Sequence, residues 1–319
     1  MPRLTRSHPD RDPGYRRIRS GRGFRFVDER GGTLTADERQ RIDDLVIPPA
    51  WTDVWISADP AGHIQAVGED DAGRRQYIYH PAWSQRRDRG KFARAVALAQ
   101  ALPGIRAQVT RALRAPQDPR AQVLAAAIRM LDDGALRIGS EEYFTAHGSR
   151  GLATLQCRDA SVDGDRIRLV FPAKSGRRLT LEFDDPDLAV VLAELARGRP
   201  RAPLLAYRRG RRRAAIRSRD VNAHLAHLSG ARFTAKDFRT LRGTIAAAEA
   251  LAAVGPARDE RDARHAEQVA AQAAADVLGN TVAVARRSYI DPRVFARYRR
   301  GQVLDPEGSR EAALVRLLG

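Results

Sequence analysis

Apolar and polar positions alternate in short bursts through the first 80 residues and then settle into helical spacing. Residues 23–27, 54–67 and 76–79 read as strands of period two, and Asp59-Pro60-Ala61-Gly62 forms a turn within the second of them. A helix is expected at 35–44, with Thr35 as N-cap and Glu38 three residues on. Residues 84–90 are polar and read as a linker. Beyond it, 92–102, 105–113, 120–131 and 140–147 carry apolar residues at helical intervals. The pattern returns to period two over 159–185, where 166–171 and 178–183 are strands joined by Lys174-Ser175-Gly176-Arg177. Helices resume at 186–197, 218–228, 234–254, 258–278 and 282–290, and 208–213 reads as a loop or a short hairpin tip. The expected fold is α+β. A small β-rich N-terminal domain (21–85) follows a flexible basic arm (1–20) and precedes a mostly helical domain (86–319) with an inserted β-hairpin.

Charge sharpens this picture. The chain of 319 residues carries 56 Lys+Arg against 39 Asp+Glu, a formal charge of +17. Residues 1–90 hold 16 basic and 14 acidic side chains, so nearly all of the excess lies in 91–319. Such an excess favours a polyanionic partner, and nucleic acid is the leading one. Only Lys91, Lys174 and Lys236 are lysines; the other 53 bases are arginine. A lysine surviving among so many arginines draws attention, because its proton can be released and that of arginine essentially cannot. One cysteine, Cys157, excludes a disulfide framework and a cysteine zinc site. There is no phosphate-binding G-x-x-x-x-G-K-[ST] loop and no dense acidic cluster for two metal ions. The first ten residues lack an apolar signal core and no apolar run reaches membrane-spanning length, so a cytoplasmic location is expected.

Five separated pieces carry the chemistry. They are Leu136-Arg137-Ile138-Gly139-Ser140-Glu141-Glu142-Tyr143 with Gly151–Leu155, then Phe171-Pro172-Ala173-Lys174-Ser175-Gly176, then Lys236-Asp237-Phe238-Arg239-Thr240-Leu241-Arg242. Leu278-Gly279-Asn280-Thr281 and Ala285-Arg286-Arg287-Ser288-Tyr289-Ile290-Asp291-Pro292 follow. In this order they resemble the type IB DNA topoisomerases, in particular the small poxvirus-like form found in bacteria, over roughly residues 70–319. The resemblance implies Tyr289 as nucleophile, with Arg137, Arg239, Lys174 and Asn280 around the scissile phosphate. The family usually has histidine at the fourth of these positions. Asn280 can donate a hydrogen bond but cannot carry positive charge. It further implies nicking of one strand of double-stranded DNA through a 3′-phosphotyrosyl bond, relaxation by strand rotation, and religation with neither ATP nor a required metal. The expected state is a monomer clamped around the duplex and associated with the nucleoid.

The residue types suit that chemistry. Guanidinium forks match the non-bridging oxygens of a phosphodiester and hold their charge. A phenol that ionises near pH 10 needs a positive surround to attack. The leaving 5′-oxygen needs a proton, which Lys174 can supply and arginine cannot. In the N-terminal domain, Gln76-Tyr77-Ile78-Tyr79 resembles the segment with which family members touch DNA. Alternation places Tyr77 and Tyr79 on one strand face and Gln76 on the other, and a glutamine can read adenine in the major groove. Lys236, three residues before Arg239, is either a surface charge or a phosphate contact. A tyrosine recombinase shares the chemistry, but typically shows His-x-x-Arg where this chain has Lys236-Asp237-Phe238-Arg239, and has a helical rather than β-rich N-terminal domain. A non-catalytic basic DNA binder is the third reading. For 208–213 a solvated loop or a non-specific phosphate contact both remain open.

Overall fold

The computed structural model describes residues 3–115, 118–173, 176–305 and 307–319. The chain divides into two compact units, Met1–Gly90 and Lys91–Gly319.

In the first unit, five antiparallel strands, β1 (Gly14–Ser20), β2 (Gly23–Val27), β3 (Thr52–Ser57), β4 (Ile64–Glu69) and β5 (Arg75–Tyr79), form one sheet in the order β2-β1-β3-β4-β5. Helix α1 (Ala36–Asp44) buries Ile42 in a cluster with Tyr15, Val54, Ile56 and Ala66. Its start is the expected capping box: Thr35 Oγ1 accepts from the Glu38 amide, and the Glu38 carboxylate accepts from the Thr35 amide at 2.8 Å. Residues 14–20, expected in a flexible arm, instead form β1 and pair on both sides. One of the arginines that gave the segment its disordered composition is a packing group here. Arg17 lies over the Phe24 ring at 4.1 Å and donates to the Pro48 carbonyl at 3.0 Å.

The polar run expected as a linker at 84–90 is helical. It belongs to α2 (Pro81–Arg114), which continues through Pro103, so the two expected helices at 92–102 and 105–113 are one. In the second unit the core is built on α3 (Pro119–Gly134) and α7 (Ala235–Val254), each buried on nearly every side. A helix apolar all round belongs inside a domain. Strands β6 (Ala160–Asp163), β7 (Arg166–Pro172) and β8 (Arg178–Asp184) form the inserted antiparallel sheet, with Pro172 opposite Arg178 at its turn. Helices α4 (Glu141–His147), α5 (Pro186–Ala196), α6 (Ser218–Ser229), α8 (Glu260–Leu278) and α9 (Val282–Tyr289) lie where the periodicity places them. Residues 208–213 fall on a two-stranded hairpin, β9 (Ala206–Arg209) with β10 (Arg212–Ala215). Two C-terminal helices, α10 (Pro292–Tyr298) and α11 (Arg310–Leu318), were not anticipated. No described helix is long and apolar enough to cross a membrane.

Candidate catalytic site

The site forms where three helices of the second unit end. Helix α3 stops at Ala135, which is left-handed at φ 46°, and the chain turns through buried Leu136 to Arg137. This turn is held by a second segment: the Leu152 amide donates to the Arg137 carbonyl at 2.9 Å and the Ala153 amide to that of Ile138 at 2.8 Å. The two backbones approach so closely that a Cβ on Gly151 would sit 2.6 Å from the Arg137 carbonyl oxygen. The glycines at 139 and 151 therefore serve the placement of Arg137.

Arg239, in the second turn of α7, is 5% exposed. Its Nη1 donates to the Ala135 carbonyl at 2.5 Å and its Nη2 to the Leu278 carbonyl at 2.8 Å. Both carbonyls belong to helix C-termini, which carry unpaired acceptors and partial negative charge. Burial, and then the positive charge of Arg137, push this guanidinium down to about 10. It remains charged at neutral pH.

Helix α8 ends in left-handed Gly279 (φ 58°), and the Asn280 amide closes the turn on the Ala275 carbonyl at 3.0 Å. Asn280 thus sits at the helix end and beside Arg137 together. Its Oδ1 accepts from Arg137 Nη2, which orients the amide. Its Nδ2 is buried with no partner, and so is the Nε of Arg239.

Tyr289 is the last residue of α9. Its ring centroid is 5.1 Å from the Arg239 guanidinium carbon. Thr244, on α7, fixes the backbone here: its Oγ1 lies 3.2 Å from the Tyr289 carbonyl and accepts from the Asp291 amide at 3.1 Å. Gly243, four residues after Arg239, lets α9 approach α7. A Cβ at 243 would stand 2.8 Å from Leu278 Cδ1 and 2.9 Å from the Tyr289 carbonyl oxygen. Gly243→Val is therefore expected to destabilise the chain by about 1–3 kcal/mol through overpacking. Thermal unfolding checks this, and an unchanged midpoint would contradict the close approach.

Arg137, Arg239, Asn280 and Tyr289 thus come together. Lys174 lies outside the described residues. Lys236 is exposed in the first turn of α7. In the first unit, Tyr77 and Tyr79 stack with centroids 5.9 Å apart, and the Arg75 and Arg87 guanidinium carbons lie 5.9 and 5.3 Å from their respective rings. Gln76 donates through Nε2 to Asp70 at 2.8 Å.

Sequence reasoning missed the support beneath the site. Arg242 is ion-paired to Asp132 at 2.6 Å and to Glu311 at 3.1 Å, and Arg106 reaches the same two carboxylates at 2.6 and 2.7 Å. Burial pushes the Glu311 carboxyl up, but Arg106 and Arg242 outweigh it and hold the group below its ordinary value. This network ties α11 to α3, which leads into Arg137, and to α7, which bears Arg239. Gly243 did leave a signal, since glycine inside a helix costs about 1 kcal/mol against alanine and needs a reason.

Known proteins resemble this chain over most of its length. A model of the eukaryotic DNA topoisomerase I catalytic core matches residues 80–300, and one of the bacterial DNA topoisomerase IB N-terminal domain matches 23–70. The DNA topoisomerase 1B of Acanthamoeba polyphaga mimivirus is 29% identical over 285 residues, 87% of this chain and 85% of its own.

Proposed function

The chain belongs to the type IB DNA topoisomerase family, enzymes that break and rejoin DNA, and on that premise we propose that Tyr289 attacks one strand of a duplex to form a 3′-phosphotyrosyl ester. The observation that carries this reading is the pair of buried donors without acceptors, Arg239 Nε and Asn280 Nδ2, in the cluster that packs against Tyr289. Buried polar groups are nearly always paired, and an unpaired one calls for an explanation. A phosphodiester oxygen supplies the missing acceptor. Arg137 adds a fork that compensates the charge growing on the non-bridging oxygens. Asn280 contributes a hydrogen bond without a titrating imidazole.

The phenol loses its proton to solvent water as its oxygen bonds to phosphorus, and the bond to the 5′-oxygen breaks. Lys174 protonates that leaving oxygen. The reverse step returns the tyrosine and reseals the strand. The ester conserves the energy of the broken bond, so rejoining consumes no ATP and, in this reading, no metal ion takes part. One nucleophile serves one nick, which makes a monomer sufficient. Its two units would clamp the duplex as a nucleoid-associated enzyme, with Tyr77, Tyr79 and Lys236 on phosphates or bases. Gln76 would read a base only by releasing Asp70.

Supercoiled plasmid in EDTA without ATP tests this directly. Relaxation is expected; absence of both relaxation and a detergent-trapped adduct would contradict it. For Lys174→Ala, cleavage is expected to slow by about 10²–10⁴-fold, the usual share of a general acid. A duplex with a bridging 5′-thiolate, a better leaving group, should recover most of that loss. No recovery would remove Lys174 from the acid role.

A further inference from the structure

Hairpin β9–β10 concentrates charge without compensation. Its register places Arg208 opposite Arg213 and Arg209 opposite Arg212, with Arg211 beside Gly210 at the tip. Like charges directly opposite each other on a strand pair are unfavourable. All five arginines are exposed. Arg213 is tied down, its Nη2 donating to the Leu195 carbonyl at 3.4 Å in the last turn of α5, where a cation is favoured. The other four form no ion pair with any described carboxylate. Some exposed arginines elsewhere in the unit are paired, as in Arg114–Asp187, Arg166–Asp184 and Arg168–Glu182, but no other described arginine of the unit faces a second arginine across a strand pair as these do.

The root of the hairpin also shares a cleft with the segment that follows Arg137. Ala214, Ala215 and Ile216 at its base line a cleft of about 760 Å³ whose lining includes Ser140, Ala153 and Thr154. Ala153 is the residue hydrogen-bonded to Ile138, next to Arg137. The cleft therefore leads from the Arg137 segment to the root of the hairpin.

We propose that Arg208, Arg209, Arg211 and Arg212 form a grip on the phosphates of duplex DNA away from the point of cleavage, keeping the enzyme on one molecule between turnovers. This rests on the reading of the chain as a DNA-cleaving enzyme. A polyanion removes the repulsion that the fold leaves standing, and four separate fixed charges suit a row of phosphates.

The test compares the full chain with its Arg208/209/211/212→Ser and →Lys forms on a 40-base-pair duplex, with affinity measured from 50 to 200 mM salt. Four lost phosphate contacts should reduce the slope of log affinity against log salt by about 3.6. Wild type would then lose about 150-fold more affinity than the serine form over that range. The lysine form should keep the wild-type slope, and plasmid relaxation by the serine form should change from processive to distributive. Single-turnover cleavage at saturating enzyme should be unchanged. A serine form with the wild-type slope, or a lysine form as weak as the serine form, would overturn the grip. If the slope falls as expected but no chain forms a covalent adduct, the cleavage reading fails and the grip stands.

Discussion

Tyr289→Phe is expected to abolish the covalent DNA adduct and plasmid relaxation together, while duplex affinity stays within about twofold of wild type, since phosphate neutralisation supplies most of the binding. Phenylalanine keeps the ring beside the Arg239 guanidinium, 5.1 Å from its centroid, and removes only the oxygen. The Thr244 hydroxyl still meets the carbonyl of residue 289, so the end of α9 stays in place. Loss of adduct with retained binding thus isolates the nucleophile. Residual adduct at a rate near wild type would mean that another side chain attacks. Detergent trapping on a labelled duplex, alongside equilibrium binding, reads both quantities.

Arg239→Lys carries the second large effect. The arginine makes two hydrogen bonds to carbonyls on separate helices and still presents a third donor, Nε. One ammonium does not reproduce that fork. A carbonyl left unpaired in this buried position costs about 1–3 kcal/mol of stability. The loss of transition-state stabilisation should lower cleavage about 10²–10³-fold, as removal of one preorganised donor does elsewhere. The pH profile should also change. Burial and the Arg137 charge already push the arginine down to about 10, and the same surround lowers a lysine from a lower starting point. The lysine form is charged, and most active, at low pH and loses activity as pH rises through its depressed pKa. Wild type keeps the charge up to about pH 10. Single-turnover cleavage from pH 6 to 9 checks the sign. A lysine variant that gains activity with pH, or matches wild type, would contradict the role given to Arg239.

Arg137, Arg239, Asn280 and Tyr289, the described candidates for the site, were legible because they sit in short, distinctive pieces, and the structure brings them together. What holds them was not. Asp132, Arg242, Arg106 and Glu311 come from four distant segments, and each looks like an ordinary helix charge until packing brings them together. Strand β1 was hidden by composition: arginine, proline and aspartate through the first 20 residues suggest a free arm, yet Arg17 is held by backbone carbonyls and the Phe24 ring. The gap expected between the helices 92–102 and 105–113 falls on Pro103-Gly104, and the long helix α2 runs straight through it. Tertiary packing outweighs such local preferences, which are worth only a few kcal/mol. Asn280 shows the opposite case. It lies at the expected helix end, and the turn that stops α8 is also what brings its amide to Arg137, as the proposed donor role requires.

The most direct measurement is the identity of the residue that carries the DNA. A duplex trapped on the chain with detergent, digested with nuclease and then trypsin, leaves a nucleotide on one peptide. The account predicts that peptide to be Ser288-Tyr289-Ile290-Asp291-Pro292-Arg293, with the phosphate on the tyrosine. Nucleotide on any other peptide would contradict it.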